Sequence, residues 1–521
     1  MNTSTSVLWQ LIQSMNRNEK LFFKRKGTAI KGAKMPLYIK LFDAIARQKE
    51  YNEVALLKKL TPAISKKNIA FQKHYLHNQL NNCLIEYENR NNVEQEIYRN
   101  IQLIRINRKK GLLNEALALW KKTITKAREG ELFAMSQLLK KEFEKMILFS
   151  SVQVKYDDLH TLFRSNIMSY DEYSEMITLR DIYAEILMLR RKAHFDFDDE
   201  LKNEISKLHE KVDKRKSGLQ SRSFWYRHYT RMCHATLHYL SHDTASSLPL
   251  IQDAVKDWWG SKNFIETDSE HYIELLYMVN YAGIMHGSYA YVESVFNHKI
   301  NDLIKDDVQK ANFEAVKYLA LNKVYNKTAR YSEVAKLVES IKKKYIRWEP
   351  LLNAELNRTV CFSLGIACFV LDNYTESLQF IKRGVTYFKD GTREEQFIFA
   401  NLFLLLIQYN INNTKLFDAQ YKSTYAYFYR KKKIDPFEKT LMHCFHDTFY
   451  LTSFKEKSKL FQKAVDEMEL NHANDVQKQT LNIFNFHGWL LSQIQRIPYK
   501  QYVQKKYFND THPVEKSLAV L

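Results

Sequence analysis

The sequence predicts an all-α fold assembled from repeated helix pairs, and three observations carry that reading. Only 12 Gly and 7 Pro occur among 521 residues, well below the ~7% and ~5% of ordinary proteins, so few points force a helix to stop. Alternating apolar runs joined by Asn-Gly or Asp-Gly, the mark of a β-hairpin, are all but absent; Asp390-Gly391 follows a helical pattern instead. From about Asn92 onward, apolar faces at helical spacing recur in pairs, at an interval of about 42 residues.

Residues 1–90 stand apart as an N-terminal helical module. An opening helix is expected from Ser4 to Lys26, with Val7, Leu8, Leu11, Ile12 and Met15 on one face. A basic, Gly-containing link, Lys24 to Lys34, leads to three helices over Leu37–Gln48, Glu53–Leu60 and Lys66–Glu88, with Pro62 breaking the chain before the third. Two short helices followed by a longer one is the order of a helix-turn-helix. The third helix carries Lys66, Lys67, Asn68, Gln72, Lys73 and His77, while Ile69, Leu76, Leu80, Cys83 and Leu84 supply a core face. The Leu60–Ser65 turn lacks the usual Gly and no β-wing follows, so a module capping the repeats is the expectation and DNA or RNA contact the alternative.

Residues 91–498 hold nine helix pairs. Their second helices are expected to begin at Leu113, Tyr156, Phe197, Ala245, Tyr289, Tyr331, Tyr374, Leu416 and Phe454. The carboxylate pairs Asp157-Asp158 and Asp198-Asp199 fall in first helical turns, where capping and the helix dipole favour them. The best-defined stretch is Leu356 to Phe388. Its first helix carries Phe362, Leu364, Ile366, Cys368, Phe369 and Leu371; a tight turn follows at Asp372, Asn373 and Tyr374; the second helix aligns Leu378, Ile381, Val385 and Phe388 on one face. Gly365 sits in mid-helix, where it costs about 1 kcal/mol relative to Ala, and close approach of the second helix is the expected reason. Residues 499–521, with Pro498 and Pro513 as breakers, read as a terminal cap and tail.

Leu364-Gly365 on the first helix, with Ser377, Ile381 and Gly384 on the second, resembles the tetratricopeptide pattern of small residues where two helices meet. The resemblance extends over about four-fifths of the chain, with longer repeats and without the family's helix-terminal Pro. It implies a right-handed α-solenoid whose first helices line a concave face. Carried across position by position, the groove residues are Tyr277 and Tyr281, then Lys323 and Lys327, then Phe362, Ile366 and Phe369. That mixture suits an extended acidic or amphipathic peptide. Tight winding would instead bury the apolar members as core.

Seventy-nine basic against 59 acidic residues give a formal charge of +20, which favours an anionic partner, a nucleic acid or an acidic protein, or reflects base composition of the genome. Basic clusters lie at Arg108–Lys110, Arg190–Lys192, Lys214–Lys216, Lys342–Lys344 and Arg430–Lys433. The first two fall at turns within pairs and the others between pairs, so they form no single rail; helix C-termini favour such cations. Tyr425, Tyr427, Phe428 and Tyr429 form an aromatic stripe suited either to base stacking or, at helical spacing, to a core.

Five cysteines, an odd number, argue against a disulfide framework and for a reducing compartment. Cys361 and Cys368 stand two turns apart, about 10 Å, too far to bridge. The N-terminal MNTSTSVLWQ shows no signal-peptide pattern, and no apolar run reaches the ~20 residues of a membrane span, so a cytoplasmic protein is expected. His234, His238 and His242 lie at successive helical turns, with Cys233 and His228 nearby, but a third metal ligand would have to come from elsewhere. His443, Cys444, His446 and Asp447 make a weaker set. No metal or cofactor is expected. With no phosphate loop, nucleophile elbow or zinc-protease motif, the reading is a non-enzymatic scaffold that binds a protein or peptide.

Overall fold

The computed structural model describes residues 3–27, 35–48, 50–88, 92–148, 170–192, 199–214, 222–388, 394–430, 436–470, 480–481 and 483–511. Among these the chain is all-α, without a strand, and its helices pack chiefly against their neighbours in sequence. No helix is long and apolar enough to cross a membrane. The sequence-predicted helix starts at Tyr156 and Phe197, with Asp157, Asp158 and Asp198, lie outside the described residues, as do most of the Lys24–Lys34 link, Arg215, Lys216, Lys431–Lys433, Asp390, Gly391 and Pro513. Contacts divide the chain into two compact units, one of Met1–Ile177 with Gly218–Arg227, the other of Thr178–Ser217 with His228–Leu521.

The first unit opens with two helices where the apolar face predicts one: Thr3–Ser14 and Arg17–Gly27. The break has a local cause. Asn16 and Glu19 form a reciprocal capping box, the Glu19 amide donating to Asn16 Oδ1 at 2.9 Å and the Asn16 amide to Glu19 Oε2 at 2.7 Å, which starts a new helix. Helices Leu37–Ala46, Glu53–Leu60 and Ile69–Glu88 complete the module around Leu8, Ile12, Phe23, Phe42, Leu56, Leu76 and Leu80. The indole of Trp9 and the amide of Gln13 donate to the Gln48 carbonyl at 3.2 and 3.1 Å, supplying partners just beyond the end of the Leu37–Ala46 helix. A separate core, with Ile97, Ile101, Trp120, Ile124, Leu139 and Phe143, joins the helices Val93–Lys109, Leu113–Glu129 and Phe133–Leu148.

In the second unit the pairs run Phe224–Leu240, from His228 onward, with Thr244–Gly260, then Ser269–Met285 with Tyr289–Phe296, Asp307–Lys327 with Tyr331–Trp348, Ala354–Val370 with Tyr374–Val385, Glu394–Ile411 with Thr414–Arg430, and Pro436–Phe449 with Phe454–Leu470. Helices thus begin at Leu113, Tyr289, Tyr331, Tyr374 and Phe454, the positions the interval predicts; Ala245 and Leu416 fall just inside theirs. A short helix at Lys262–Thr267 and a 3-10 turn at Lys299–Leu303 flank the Ser269–Phe296 pair and interrupt the regular spacing.

One turn geometry recurs between paired helices. A left-handed residue stands two positions before the next helix: Gly111, Glu131, His242, Gly287, Ala329, Asp372 and Asn412, with φ between 51° and 76°. All but Asn412 close their helices with the two bonds of a Schellman motif; at Asp372 the amide bonds Phe369 O at 3.0 Å and the next amide, of Asn373, bonds Cys368 O at 2.8 Å. Six of the eight left-handed residues among those described are not glycine, which is how so glycine-poor a chain makes so many tight turns.

Where the Ala354–Val370 and Tyr374–Val385 helices cross, Ser377 Oγ donates to Gly365 O at 2.7 Å, and a Cβ added at Gly365 would stand 2.5 Å from Ile381 Cδ1. A Cβ at Gly384 would meet the Phe362 ring at 2.5 Å. Both glycines are therefore contact points between helices. The last two helices, Phe486–Ile494 and Tyr499–Thr511, fold back on the unit: Lys500 Nζ lies 2.7 Å from Asp372 Oδ2, and the Gln504 amide donates to Ala329 O at 3.4 Å. All five cysteines are buried free thiols.

Candidate functional site

The first helices of successive pairs in the second unit touch one another along one side. Tyr239 and Tyr281 have ring centroids 5.9 Å apart, Lys323 Nζ sits 5.2 Å from the Tyr281 centroid, and the Asn322 amide donates to Ser363 Oγ at 2.8 Å. The 3.6-residue period explains the placement: Tyr277 and Tyr281, like Lys323 and Lys327, are one turn apart on their helices. Four of the residues carried over by resemblance are thus brought together. Tyr281 is 37% exposed, and Lys323 and Lys327 are exposed as well.

Lys323 is open to solvent yet surrounded by protein, and this crowding pushes its ammonium below the ordinary lysine value, with Lys327 adding repulsion in the same direction. Burial raises the Tyr277 phenol, helped by Tyr281, Glu274 and Glu355. Beside them, Arg190 and Glu274 pair at 2.8 Å. Burial opposes the Arg190 charge, but Glu274 and Tyr183 outweigh it and hold the guanidinium above its usual pKa. The period marked the tyrosines and lysines. Arg190, Glu274 and Tyr239 join them only in three dimensions, although the Arg190–Lys192 cluster was visible as charge.

The apolar members lie elsewhere. Phe369 is 2% exposed and packed against Tyr374, Phe403 and Phe484; Phe362 is buried against Phe388 and Phe399. Ile366 is half-buried between two core clusters. These positions are core, because later helices and the returning C-terminal segment cover the side on which the register places them.

In the N-terminal module the third helix begins at Ile69, so Lys66 and Lys67 stand exposed in the preceding turn, and Asn68 Oδ1 accepts the Ser65 amide at 2.8 Å. Lys73 is held by Glu53 at 2.7 Å. Gln72 and His77 are half-buried, with His77 Nδ1 3.3 Å from Asn81 Nδ2. Next to the two free-standing turn lysines, Phe71 is 67% exposed and its ring runs 15° from parallel with that of Tyr75.

Some of the basic charge is internally matched. In the Lys342–Lys344 cluster, Lys342 meets Glu376 at 2.9 Å and Lys344 meets Glu314 at 2.9 Å; outside the clusters, Arg330 meets Glu293 at 2.7 Å. Of the aromatic stripe, Phe428 is core and Tyr427 half-buried, while Tyr425 and Tyr429 are exposed and stacked at 6.3 Å.

Among the histidines, His242 is a left-handed turn residue beyond the helix end and is not part of the His cluster. His234 and His238 are instead met by His209, from the Asp199–Asp213 helix, with one ligand atom of each within 4.8 Å of the others. Cys444 is buried and its thiol faces Leu460 O at 3.9 Å, whereas His443 is exposed, so that second set does not converge. Comparison of the sequence with protein-family models and with curated proteins finds no match.

Proposed function

We propose that this chain is a non-enzymatic scaffold that holds an acidic or amphipathic segment of another protein against the Tyr277, Tyr281, Lys323 and Lys327 face. One observation carries the reading: the exposed Lys323 and Lys327 sit one turn apart on one helix, with the exposed Tyr281 ring 5.2 Å from Lys323 Nζ. A carboxylate seated there relieves the repulsion between the two ammonium groups, and Tyr281 supplies an aromatic platform for an adjacent side chain. In a right-handed α-solenoid this face is the concave one. The five free thiols suit a reducing compartment, so the cytoplasm is its place.

The test compares the full chain with a Lys323→Glu/Lys327→Glu variant against fluorescent peptides of matched length, acidic-aromatic, basic-aromatic and acidic without aromatics. The acidic-aromatic peptide should bind the wild type best and lose at least about tenfold on charge reversal. Equal binding of acidic and basic peptides, or an unaffected variant, overturns the reading.

Exposed, near-parallel Phe71 and Tyr75 beside Lys66 and Lys67 favour a second reading, contact with single-stranded nucleic acid at the N-terminal module. Submicromolar RNA or DNA binding that falls steeply with salt and disappears in a Lys66→Glu/Lys67→Glu/Phe71→Ala variant would put this reading first.

A further inference from the structure

We propose that His209, His234 and His238 form a binding site for one divalent transition-metal ion of the zinc type. His234 and His238 lie one turn apart on the Phe224–Leu240 helix, a spacing that sends both imidazoles to the same side. His209 faces them from the Asp199–Asp213 helix, its ring centroid 4.9 Å from that of His238 and 6.3 Å from that of His234. The three ligand atoms already lie within 4.8 Å of one another. Donors on a tetrahedral ion with bonds of about 2.05 Å stand roughly 3.3 Å apart, so closing the site takes small ring rotations and no backbone movement.

The surroundings are those of a ligand set. His238 Nδ1 lies 3.2 Å from Asp243 Oδ2, which orients the ring and leaves Nε2 for the metal, the arrangement by which a carboxylate raises the basicity of a ligating histidine. Asp213 Oδ1 stands 3.8 Å from His234 Nε2, close enough to offset the ion's charge. His234 is only 1% exposed, and low surrounding polarity strengthens a metal–imidazole bond relative to water. His228, on the same helix, shows the ordinary role of a core histidine: its Nδ1 accepts the Trp258 indole N–H at 3.1 Å. Neutral imidazoles select zinc, copper, nickel or cobalt over calcium and magnesium. Three protein ligands leave a fourth position for water, and the ion would tie the Asp199–Asp213 and Phe224–Leu240 helices together. None of these residues belongs to the Tyr281–Lys323 face, so the two proposals fail independently.

The experiment uses the full chain stripped with a chelator and titrated with zinc against a competing indicator dye. Cobalt(II) serves as the spectroscopic probe, through its visible absorption in a tetrahedral nitrogen-rich site. The wild type should take up one equivalent at micromolar or tighter affinity, and zinc should raise its thermal midpoint. His209→Ala should weaken binding at least about 100-fold and abolish the cobalt spectrum, Asp243→Asn should weaken it about 10- to 100-fold, and His443→Ala, at an exposed histidine outside the cluster, should change neither. His238→Gln retains an amide for Asp243 and serves should His209→Ala fail to fold. Absence of stoichiometric uptake by the wild type, or wild-type affinity in folded His238→Gln, overturns the proposal.

Discussion

Ser377 Oγ donates to the carbonyl of Gly365 at 2.7 Å across the tightest helix crossing of the Leu356–Phe388 stretch. The bond requires the two backbones to come close, and a Cβ on Gly365 would stand 2.5 and 2.6 Å from Cδ1 and Cγ1 of fully buried Ile381. Helix propensity and packing therefore oppose each other at this residue.

Gly365→Ala gains up to about 1 kcal/mol of helix propensity but must displace Ile381, so the net change is a small destabilisation. Gly365→Leu overpacks by about 1–3 kcal/mol or more. Thermal unfolding with hydrogen exchange should show lost protection in both helices of the pair; a neutral Gly365→Leu would contradict the contact.

The left-handed turns give a second prediction. Asn412 is exposed at φ 58°, a conformation Asn and Gly tolerate and β-branched residues do not. Asn412→Gly should leave stability within about 0.5 kcal/mol, whereas Asn412→Val should cost about 1–2 kcal/mol by urea unfolding. Equal stability of the two variants would show that the turn relaxes.

Acid should loosen the second unit through Glu293. Its hydrogen bonds to Arg330 hold the carboxyl below the usual range, against the opposing effect of burial. A depressed folded-state pKa means the contribution is fully present above the unfolded value near 4.5 and is lost as pH falls through the folded one. Glu293→Gln should thus lower stability at pH 7 and flatten its decline below pH 4.5. A variant with the wild-type pH profile would remove Glu293 from the acid response.

The thiols should be inert in the native state. Burial pushes Cys361 up to about 11 and Cys368 and Cys444 to about 12, so little thiolate exists at neutral pH. Mass spectrometry after iodoacetamide treatment at pH 7.5 should find these three unmodified until denaturant is added. Rapid native alkylation of Cys368 would refute its burial.

The helix class and most helix starts were legible because each depends on local pattern: scarce Gly and Pro, and an apolar face renewed about every 42 residues. Gly365 was legible for the same reason. The Asn16–Glu19 capping box was also written in the sequence, but the continuous apolar face from Val7 to Met15 masked it. Phe369 shows the limit of a repeat register, which describes neighbours only: it is covered by Phe484, far along the chain, whereas Phe362 is buried by its neighbours Phe388 and Phe399. His209 could not be found because nothing local says which histidine a helix will face. The matched charges follow the pairing of helices: Glu314 and Lys344 lie on the two helices of one pair, while Glu293 with Arg330 and Lys342 with Glu376 link successive pairs.

The return of the Tyr499–Thr511 helix onto the turns at Ala329 and Asp372 bears on how the chain folds in time. A stack of helix pairs that met only their neighbours would assemble progressively as it left the ribosome, each pair consolidating on the last. Here Lys500 reaches back 128 residues to Asp372 and Gln504 175 residues to Ala329. Those turns wait for their final partners until the C-terminal helix has been synthesised, and the loop closed by these contacts adds a step of high contact order to otherwise local folding. Once closed, it opposes unravelling from the C-terminal side, because the last helix is fastened to the middle of the unit.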